Sequence, residues 1–351
     1  MRKVILSVAM LCATSILFAQ SNTSAVTETG NGNQSYVEQI GYMNVSDVNQ
    51  LGNLNDAAVY QNGTRNDSDL DQIGNRNQYK VNQDGIRNIS VALQDGNGNM
   101  GGGGSLIWGT KQDGNLNQSY TTSTGNRNNA GTAQIGNRNM ATLTQVGNRN
   151  IANSVWWGIY QTGNQNDALV QQYGDANYAH LRQNGTLNHF IITQTGNNND
   201  AEGYQDGFSN QGGSPGLHWG INQQGNRNTA LSNQVGNRND SGTGQYGDRN
   251  ESEIQQDGNR NDANGGSFGN LQIGNANEAF IGQYGNDNFA HNNQQGNRNY
   301  ASATQNGFQH DSWTYQVGNS NWSMVTQSGN NHLSNVNQTG NGNNSTVIQT
   351  N

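Results

Sequence analysis

The sequence predicts an all-β fold, a parallel β-solenoid whose two sheets are built from stacked 22-residue rungs. Two observations carry this prediction. Glutamine recurs every eleven residues along most of the chain, with glycine two and asparagine five residues after it. Between that asparagine and the next glutamine, small or aliphatic residues alternate with polar ones. Units of this size are too small to bury a core alone, so they must stack on their neighbours.

The repeat unit reads Gln-x-Gly-x-x-Asn followed by five further residues. Representative members of the predicted structural ladder are Gln39, Gln50, Gln61, Gln72, Gln83, Gln94, Gln161, Gln172, Gly52, Gly63, Asn55 and Asn66. Only 30% of the 351 residues are hydrophobic and 48 are glycine, a composition that is also typical of disorder. A fixed register of three residue types argues for positional constraints, which disordered polar segments do not have.

Each unit divides into a corner and a strand. The stretch from glycine to asparagine, often Gly-Asn-Arg-Asn, favours turns with positive φ. The following five to seven residues have the period-two alternation of a strand, with alanine or serine, an aliphatic residue and the next glutamine on the inner face. Two units form one rung, so Gln50 should stack on Gln72 and Gln61 on Gln83, in roughly 13 rungs spaced as in cross-β, amyloid-like structures. Side-chain amides stacked in register can donate and accept along the ladder.

Four insertions interrupt the repeat, near residues 100–111, 151–160, 211–222 and 262–271. The second pair repeats the first pair at a constant distance along the chain, which indicates a duplicated block of nine units. Because nine is odd, we expect the two pairs to emerge as loops on opposite edges of the solenoid. Each insertion ends in an aromatic residue and glycine, and these aromatics are candidate ligand-binding residues if they do not pack back over the turn: Trp108, Trp157, Trp219 and Phe268.

The first nineteen residues differ from the rest. Basic residues precede an apolar run that ends at Ala19, as in a cleaved secretory signal peptide, so we expect residues 20–351 to form the mature solenoid. The single cysteine lies inside this run, which would leave the mature chain without thiol chemistry. No later stretch is long and apolar enough to span a membrane. The expected destination is extracellular, at the cell surface.

Charge and histidine spacing suggest no catalytic or cofactor site. The net charge of −8 disfavours nucleic acid as a partner, and eleven of the sixteen basic residues are arginines at one corner position, where we expect solvated side chains or a surface for an anionic polysaccharide. The six histidines form no recognised catalytic or zinc motif. His310 and His332 replace the corner asparagine in two units that are one full rung apart, which would stack them on adjacent rungs. We therefore predict no enzymatic activity, no metal site and no cofactor.

The pattern Gln-x-Gly-x-x-Asn-x-(Ala or Ser)-x-x-x-Gln resembles the repeat of curlins, the subunits of bacterial curli fibres. Clear instances begin at Gln50 and Gln161, and the resemblance extends from Glu28 to the end of the chain. It implies a secreted subunit that self-assembles into functional amyloid for adhesion and biofilm. It also implies a related nucleator subunit and a dedicated outer-membrane export pore. Curlins generally have fewer repeats and lack the four insertions.

Another function stays open on sequence alone, a monomeric surface adhesin or stalk whose aromatic loops bind a glycan or another surface ligand. A calcium-binding repeat-in-toxin solenoid and an ice-binding solenoid do not match the repeat. For a fibre subunit, Glu28 is a candidate end guard, because it places a carboxylate where almost every other unit has an amide. Stacking that charge against another subunit would be unfavourable unless it is paired.

Overall fold

The computed structural model describes residues 21–101, 109–152, 157–214, 218–264 and 268–351. The expected signal peptide lies outside them, as do Trp108 and Pro215. The described residues contain strands and turns but no helix. The strands of the first half are β1 (Thr23–Thr29), β2 (Gln34–Tyr42), β3 (Val45–Leu51), β4 (Asp56–Thr64), β5 (Asp67–Asn75), β6 (Gln78–Ile86), β7 (Ile89–Asn97), β8 (Met100–Gly101), β9 (Thr110–Asn115), β10 (Gln118–Thr124), β11 (Asn129–Ala130), β12 (Thr132–Asn137), β13 (Met140–Val146), β14 (Ile151–Ala152), β15 (Ile159–Asn164) and β16 (Asp167–Tyr173). The second half contains β17 (Tyr178–Thr186), β18 (His189–Thr195), β19 (Asp200–Phe208), β20 (Gln211–Ser214), β21 (His218–Trp219), β22 (Ile221–Gln224), β23 (Thr229–Asn237), β24 (Asp240–Ser241), β25 (Thr243–Tyr246), β26 (Glu251–Asn259), β27 (Asp262–Ala263), β28 (Asn270–Ile273), β29 (Glu278–Asn286), β30 (Phe289–Gln295), β31 (Tyr300–Phe308), β32 (Asp311–Val317), β33 (Trp322–Asn330), β34 (Leu333–Thr339) and β35 (Asn344–Thr350).

The strands form the predicted parallel β-solenoid with two sheets. The chain passes alternately through sheet 1, which begins with β1, and sheet 2, which begins with β2. Some of these passages are divided into shorter strands, such as β8 and β9 in sheet 2. Gln50 pairs in register with Gln72, and Gln61 with Gln83, so the 22-residue rung is confirmed. The solenoid has about 14 turns, slightly more than the rough estimate of 13 from the sequence.

Side-chain alternation places the core between the two sheets. In β6 and β7 every second residue is buried, and the intervening residues face outward. The core is narrow, because its apolar residues are mostly alanine, valine, leucine and isoleucine and it also contains the inward glutamines, serines and threonines. Burial of small side chains lets the two sheets approach closely, while the polar members require partners inside the solenoid.

The corners require the residue types that the repeat supplies. Gly52 has φ of +123°, and an added Cβ would lie 1.9 Å from the carbonyl oxygen of Gly74 on the next turn. No L-residue fits there without moving the backbone. Two residues after such a glycine the chain adopts the left-handed conformation, with φ of 57° at Arg65 and 58° at Arg76. Arginine at this position is thus an exposed corner residue held in a left-handed turn.

The insertions interrupt strands in mid-sheet, so their predicted position at the solenoid edges is wrong. The first lies between β8 and β9 and replaces a single outward residue, because Met100 still pairs with Gln78 and Thr110 with Val81. The first two insertions interrupt sheet 2 and the other two interrupt sheet 1. An outward position is where extra residues can leave a strand without displacing core side chains on either side. The third insertion includes a short antiparallel hairpin of β20 and β21.

Each of the two longer insertions accompanies a fully buried aromatic ring of the core. Tyr79 and Phe190 occupy inward positions where other units have alanine or serine, and both are fully buried. An added Cβ on Gly101 would lie 2.1 Å from the Tyr79 ring, and one on Gly212 would lie 2.0 Å from the Phe190 ring. The glycines and the strand interruption make space for each ring. This relation between a core ring and the next insertion was not predicted from the sequence.

Candidate assembly surfaces

The inward glutamines of sheet 2 form one continuous amide ladder from Gln39 to Gln349. In every consecutive pair Nε2 of the earlier residue donates to Oε1 of the later one, at 2.7 to 3.0 Å. Each Nε2 also donates to a backbone carbonyl, as Gln61 does to Val45 at 2.8 Å. The hydrogen bonds of the ladder therefore all point in one direction along the solenoid. Its N-terminal end presents an amide oxygen and its C-terminal end presents an amide N–H.

Sheet 1 carries a second ladder with the same polarity. Gln50 donates to Gln72 and Gln72 to Gln94, at 2.8 and 2.9 Å. The series is interrupted at Ser123, whose hydroxyl donates to Gln145 Oε1 at 3.2 Å. It then continues unbroken from Gln145 to Gln338. The predicted glutamines thus lie in two separate ladders, with Gln39, Gln61, Gln83 and Gln161 in sheet 2 and Gln50, Gln72, Gln94 and Gln172 in sheet 1.

Glu28 begins the sheet 1 ladder and leaves its neighbour incompletely bonded. It pairs in register with Gln50, and its carboxylate accepts a hydrogen bond from Ser35 Oγ at 2.5 Å. Gln50 Oε1 is buried without a hydrogen-bond partner, because a carboxylate at position 28 has no N–H to donate. The ladder polarity also revises the reason given for an end guard. A subunit stacked outside Glu28 in the same orientation would offer a donor, which a carboxylate accepts well.

Asparagine ladders run along both corners. Asn55 Oδ1 accepts the backbone N–H of Asn77 at 3.0 Å, and its Nδ2 donates to the Gly74 carbonyl at 2.9 Å. Asn66 makes the equivalent bonds to Asn88 and to Gly85 on the other corner. These asparagines are buried, so they bind one rung to the next in addition to shaping the turn. The sequence predicted only the turn.

His310 and His332 lie in one of these corner ladders and stack as expected. Their ring centroids are 5.1 Å apart and the ring planes differ by 3°. His310 is buried, which lowers the pKa of its imidazole. His310 therefore lies in the interior of the corner, whereas His332 is half-buried.

The first and last rungs of the described chain are paired on one side only. Strands β1 and β2 pair with β3 and β4, and strands β34 and β35 pair with β32 and β33. Their inward side chains are correspondingly more exposed than those of the middle rungs. Open strand edges of this kind present backbone N–H and C=O groups that another strand can bind. The two ends are complementary, because both amide ladders end in oxygens on one side and in N–H groups on the other.

The insertion aromatics pack against the sheets wherever the structure describes them. Trp157 and Phe268 are 7% and 6% exposed. Their backbone carbonyls bond Nδ1 of His180 and His291, at 2.9 and 2.8 Å, and burial lowers the pKa of both imidazoles. The backbone of Trp219 lies in β21, but its side chain and all of Trp108 lie outside the described residues. Buried rings offer little surface for a ligand.

The corner arginines line open grooves parallel to the solenoid axis. One groove of about 970 Å³ is bordered by Arg227, Arg249 and Arg298 together with corner asparagines and Asp248. Asp248 Oδ1 accepts bonds from the backbone and side chain of Asn226, so this carboxylate is partly neutralised by local donors. The groove presents guanidinium groups of successive rungs to solvent.

The described residues contain neither a helix that could cross a membrane nor a cluster of three or more metal-ligating side chains. The family model for the curlin associated repeat matches residues 44–74, 136–174, 163–196, 271–291 and 314–340. The chain contains curlin associated repeats. The five matches fall on rungs from both halves of the solenoid, and the repeat together with the solenoid fits a curli-type structural subunit. A search of curated proteins found no match to this curlin-repeat chain.

Proposed function

We propose that this curlin-repeat protein is a secreted subunit that assembles head to tail into curli-like amyloid fibres at the cell surface. The observation that carries the proposal is the polarity of the two amide ladders. Gln338 and Gln349 end the ladders with N–H donors, while Glu28 and Gln39 begin them with acceptors. A second copy stacked in the same orientation would continue both ladders, and a copy in the reverse orientation would place like groups against each other.

The energetic argument is additive. Each amide bond contributes about 0.5 to 1.5 kcal/mol net, so no single contact holds a joint between copies. A joint formed by two ladders, two corner columns and two strand edges would bury many such groups at once. The same arrangement repeated along the fibre gives the cross-β spacing of about 4.8 Å between strands.

The curlin repeats and the first nineteen residues support a proposal for the biological setting. We propose removal of a signal peptide after Ala19, export through a curli-type outer-membrane pore and growth from a related nucleator subunit. Adhesion, cell aggregation and biofilm matrix would be the roles of the resulting fibre. An anionic matrix polysaccharide is a further partner that would fit the groove at Arg227, Arg249 and Arg298.

Assembly is tested directly with the purified chain from residue 20 onward. We expect fibres that give a meridional X-ray reflection at about 4.8 Å. A soluble rod that stays monomeric under the same conditions would contradict the proposal and favour the monomeric adhesin or stalk. Such a stalk would need binding groups other than Trp157 and Phe268, because both rings are buried.

The ladder polarity is tested with Gln338→Glu. This variant keeps the oxygen that accepts from Gln316 but loses the donor that would face Glu28 of the next copy. We expect slower seeded elongation with little change in the fold. Asn337→Asp is the matched control, since it adds the same charge at an exposed position of the same strand. Equal elongation rates for the two variants would contradict the proposed joint.

Glu28→Gln tests the other end. A glutamine at position 28 supplies the N–H that Gln50 Oε1 lacks and still offers an oxygen to a preceding subunit. The first rung should become more stable, and the lag phase of unseeded assembly should shorten at neutral pH. An unchanged lag phase would show that position 28 does not limit nucleation.

A further inference from the structure

One corner column of the solenoid changes its chemistry in the last two turns. The column contains asparagine at every position from Asn22 to Asn288, and each Oδ1 accepts the backbone N–H of the next member at 2.9 to 3.1 Å. His310 and His332 are its last two members in the described chain. Its acceptors therefore change from amide oxygens to imidazole nitrogens near the C-terminal end.

The imidazoles reproduce the bonds of asparagine in one protonation state only. His310 Nδ1 accepts the backbone N–H of His332 at 3.3 Å, as Oδ1 does elsewhere in the column. His310 Nε2 lies 3.3 Å from the Asn306 carbonyl, and His332 Nε2 lies 3.0 Å from the Ser328 carbonyl. A carbonyl needs a donor, so both rings carry their proton on Nε2. Nδ1 is then the free acceptor of a neutral imidazole.

Protonation removes that acceptor. A charged His310 has N–H at Nδ1, facing the backbone N–H of His332, and a charged His332 lies 5.1 Å from the same ring. Burial and the neighbouring His332 lower the pKa of His310. The folded corner thus binds fewer protons than the unfolded chain, and its stability is lost as the pH falls from about 6.5 toward that lowered pKa.

The surroundings offer no compensating carboxylate contact. Asp311 follows His310 in the chain, and Asp287 lies on the same corner one turn earlier, where it pairs with Arg260 at 2.6 Å. Among the hydrogen bonds of the described residues, neither carboxylate reaches an imidazole of the pair. The core-facing neighbours on sheet 2, Gln305 and Gln327, are uncharged amides. A proton on this corner would be held without a counter-ion.

We propose that His310 and His332 form a proton-sensitive joint that accepts a second copy of this chain only while both imidazoles are neutral. By the repeat of the column, the backbone N–H of Asn22 in the next copy donates to Nδ1 of His332. His310 keeps the rung that carries His332 in place. The inference rests on the proposed head-to-tail assembly and adds a specific contact and its regulation: elongation slows in mild acid, and the rate recovers when the pH rises.

The test compares seeded elongation at pH 7.5 and pH 5.0, with preformed wild-type seeds. His310→Asn, His332→Asn and the double variant restore the asparagine of the other turns, and His189→Asn is the control at a histidine on the outer face of sheet 1, beside Asp167. We expect the wild type and the control to elongate about tenfold more slowly at pH 5.0, as for one pKa unit of lost interaction, and the double variant to keep most of its rate. The same loss of rate in the double variant would overturn the proposal.

Hydrogen exchange separates this inference from the proposed function. In the unassembled chain, protection of the His332 amide should fall in acid for the wild type and persist for His310→Asn. Failure of every variant to form fibres would contradict the proposed function, while acid-dependent exchange at this amide would still support the switch at His310. Equal protection of the His332 amide at both pH values would contradict the switch, even if fibres form.

Discussion

The two copies of the nine-unit block place corresponding aromatic residues on opposite sheets. Tyr79 lies in sheet 2 beside the glycines that flank the first insertion. Phe190, at the equivalent position of the second block, lies in sheet 1 beside the glycines that flank the third. The short insertions correspond as well, since His180 and His291 each bond the carbonyl of a buried aromatic residue. Because the two sheets offer the same inward geometry, the local sequence decides where a ring enters the core.

The outward positions have diverged. In the first block Glu202 and Tyr204 form a hydrogen bond beside Arg182, whose guanidinium lies 6.0 Å from the Tyr160 ring. The equivalent positions in the second block include Trp313, which packs on Phe289 with ring centroids 4.8 Å apart. One face is therefore charged and the other aromatic. Matching interior contacts with a changed exterior indicate that core packing constrains the repeat more strongly than the surface does.

Overpacking beside the two core rings should have the largest effect on stability and should be similar in the two blocks if their cores are equivalent. Gly212→Ala places a methyl group against the Phe190 ring, and Gly101→Ala does the same at Tyr79. We expect each to lower the free energy of unfolding by about 3 kcal/mol, measured by urea denaturation with circular dichroism. In a Phe190→Ala background the added cost of Gly212→Ala should nearly vanish. A cost that persists would locate the strain in the backbone and not in the ring.

Replacing each core ring by the ring of the other block should show how the surroundings of the two rings differ. Tyr79 OH bonds Thr110 Oγ1 at 2.9 Å, but Ile221 takes the place of Thr110 in the second block. Phe190→Tyr would bury a hydroxyl beside an aliphatic side chain, at a cost of about 2 kcal/mol, whereas Tyr79→Phe should cost about 1 kcal/mol. The urea midpoints of the two variants measure the difference. Equal costs would mean that the second block supplies another partner.

A pair of equivalent aspartates should respond differently to pH. Burial and then Glu202 raise the pKa of Asp200 to about 6, and burial raises the pKa of Asp311, which has no such acidic neighbour at the position of Trp313. A raised carboxyl pKa means that stability present below pH 3.8 is lost as the pH rises through about 6. Asp200→Asn should therefore raise the free energy of unfolding at pH 7 by about 1 to 2 kcal/mol, allowing for solvent exposure, and by less at pH 4. A gain independent of pH, or a larger gain for Asp311→Asn, would contradict this assignment.

The smallest effect concerns the interrupted ladder. Ser123 occupies the position that Gln234 occupies in the second block, and it leaves Gln94 without an amide partner on the next turn. Ser123→Gln should join the two parts of the sheet 1 ladder and raise the free energy of unfolding by about 1 kcal/mol. Thermal denaturation of the two proteins measures the gain, with Thr124→Gln at a half-buried outward position of the same strand as the control. A loss of stability would show that the core around Ser123 has adapted to the smaller side chain.

The fold could be predicted in detail because the same residue pattern recurs along almost the whole chain. A typical unit supplies an inward amide, as at Gln50, a positive-φ corner, as at Gly52, and a bond to the next turn, as at Asn55. Because two units make one rung, equivalent residues lie opposite each other on successive rungs. The sequence also placed His310 over His332. It could not show that the insertions leave from the middle of a strand, because a lengthened interval between two glutamines is compatible with extra residues at the corner or in the sheet.

By itself the sequence determined the period, the inward face and the curlin repeat of this protein, since the spacing of Gln, Gly and Asn and the alternation within each strand are visible along the chain. Tertiary structure decided the direction of the amide ladders, the unbonded Gln50 oxygen beside Glu28 and the burial of Trp157 and Phe268. A glutamine can donate toward either neighbour until stacked turns fix the orientation of its amide. The polarity that would orient a fibre is therefore a property of the stacked rungs and of no single repeat.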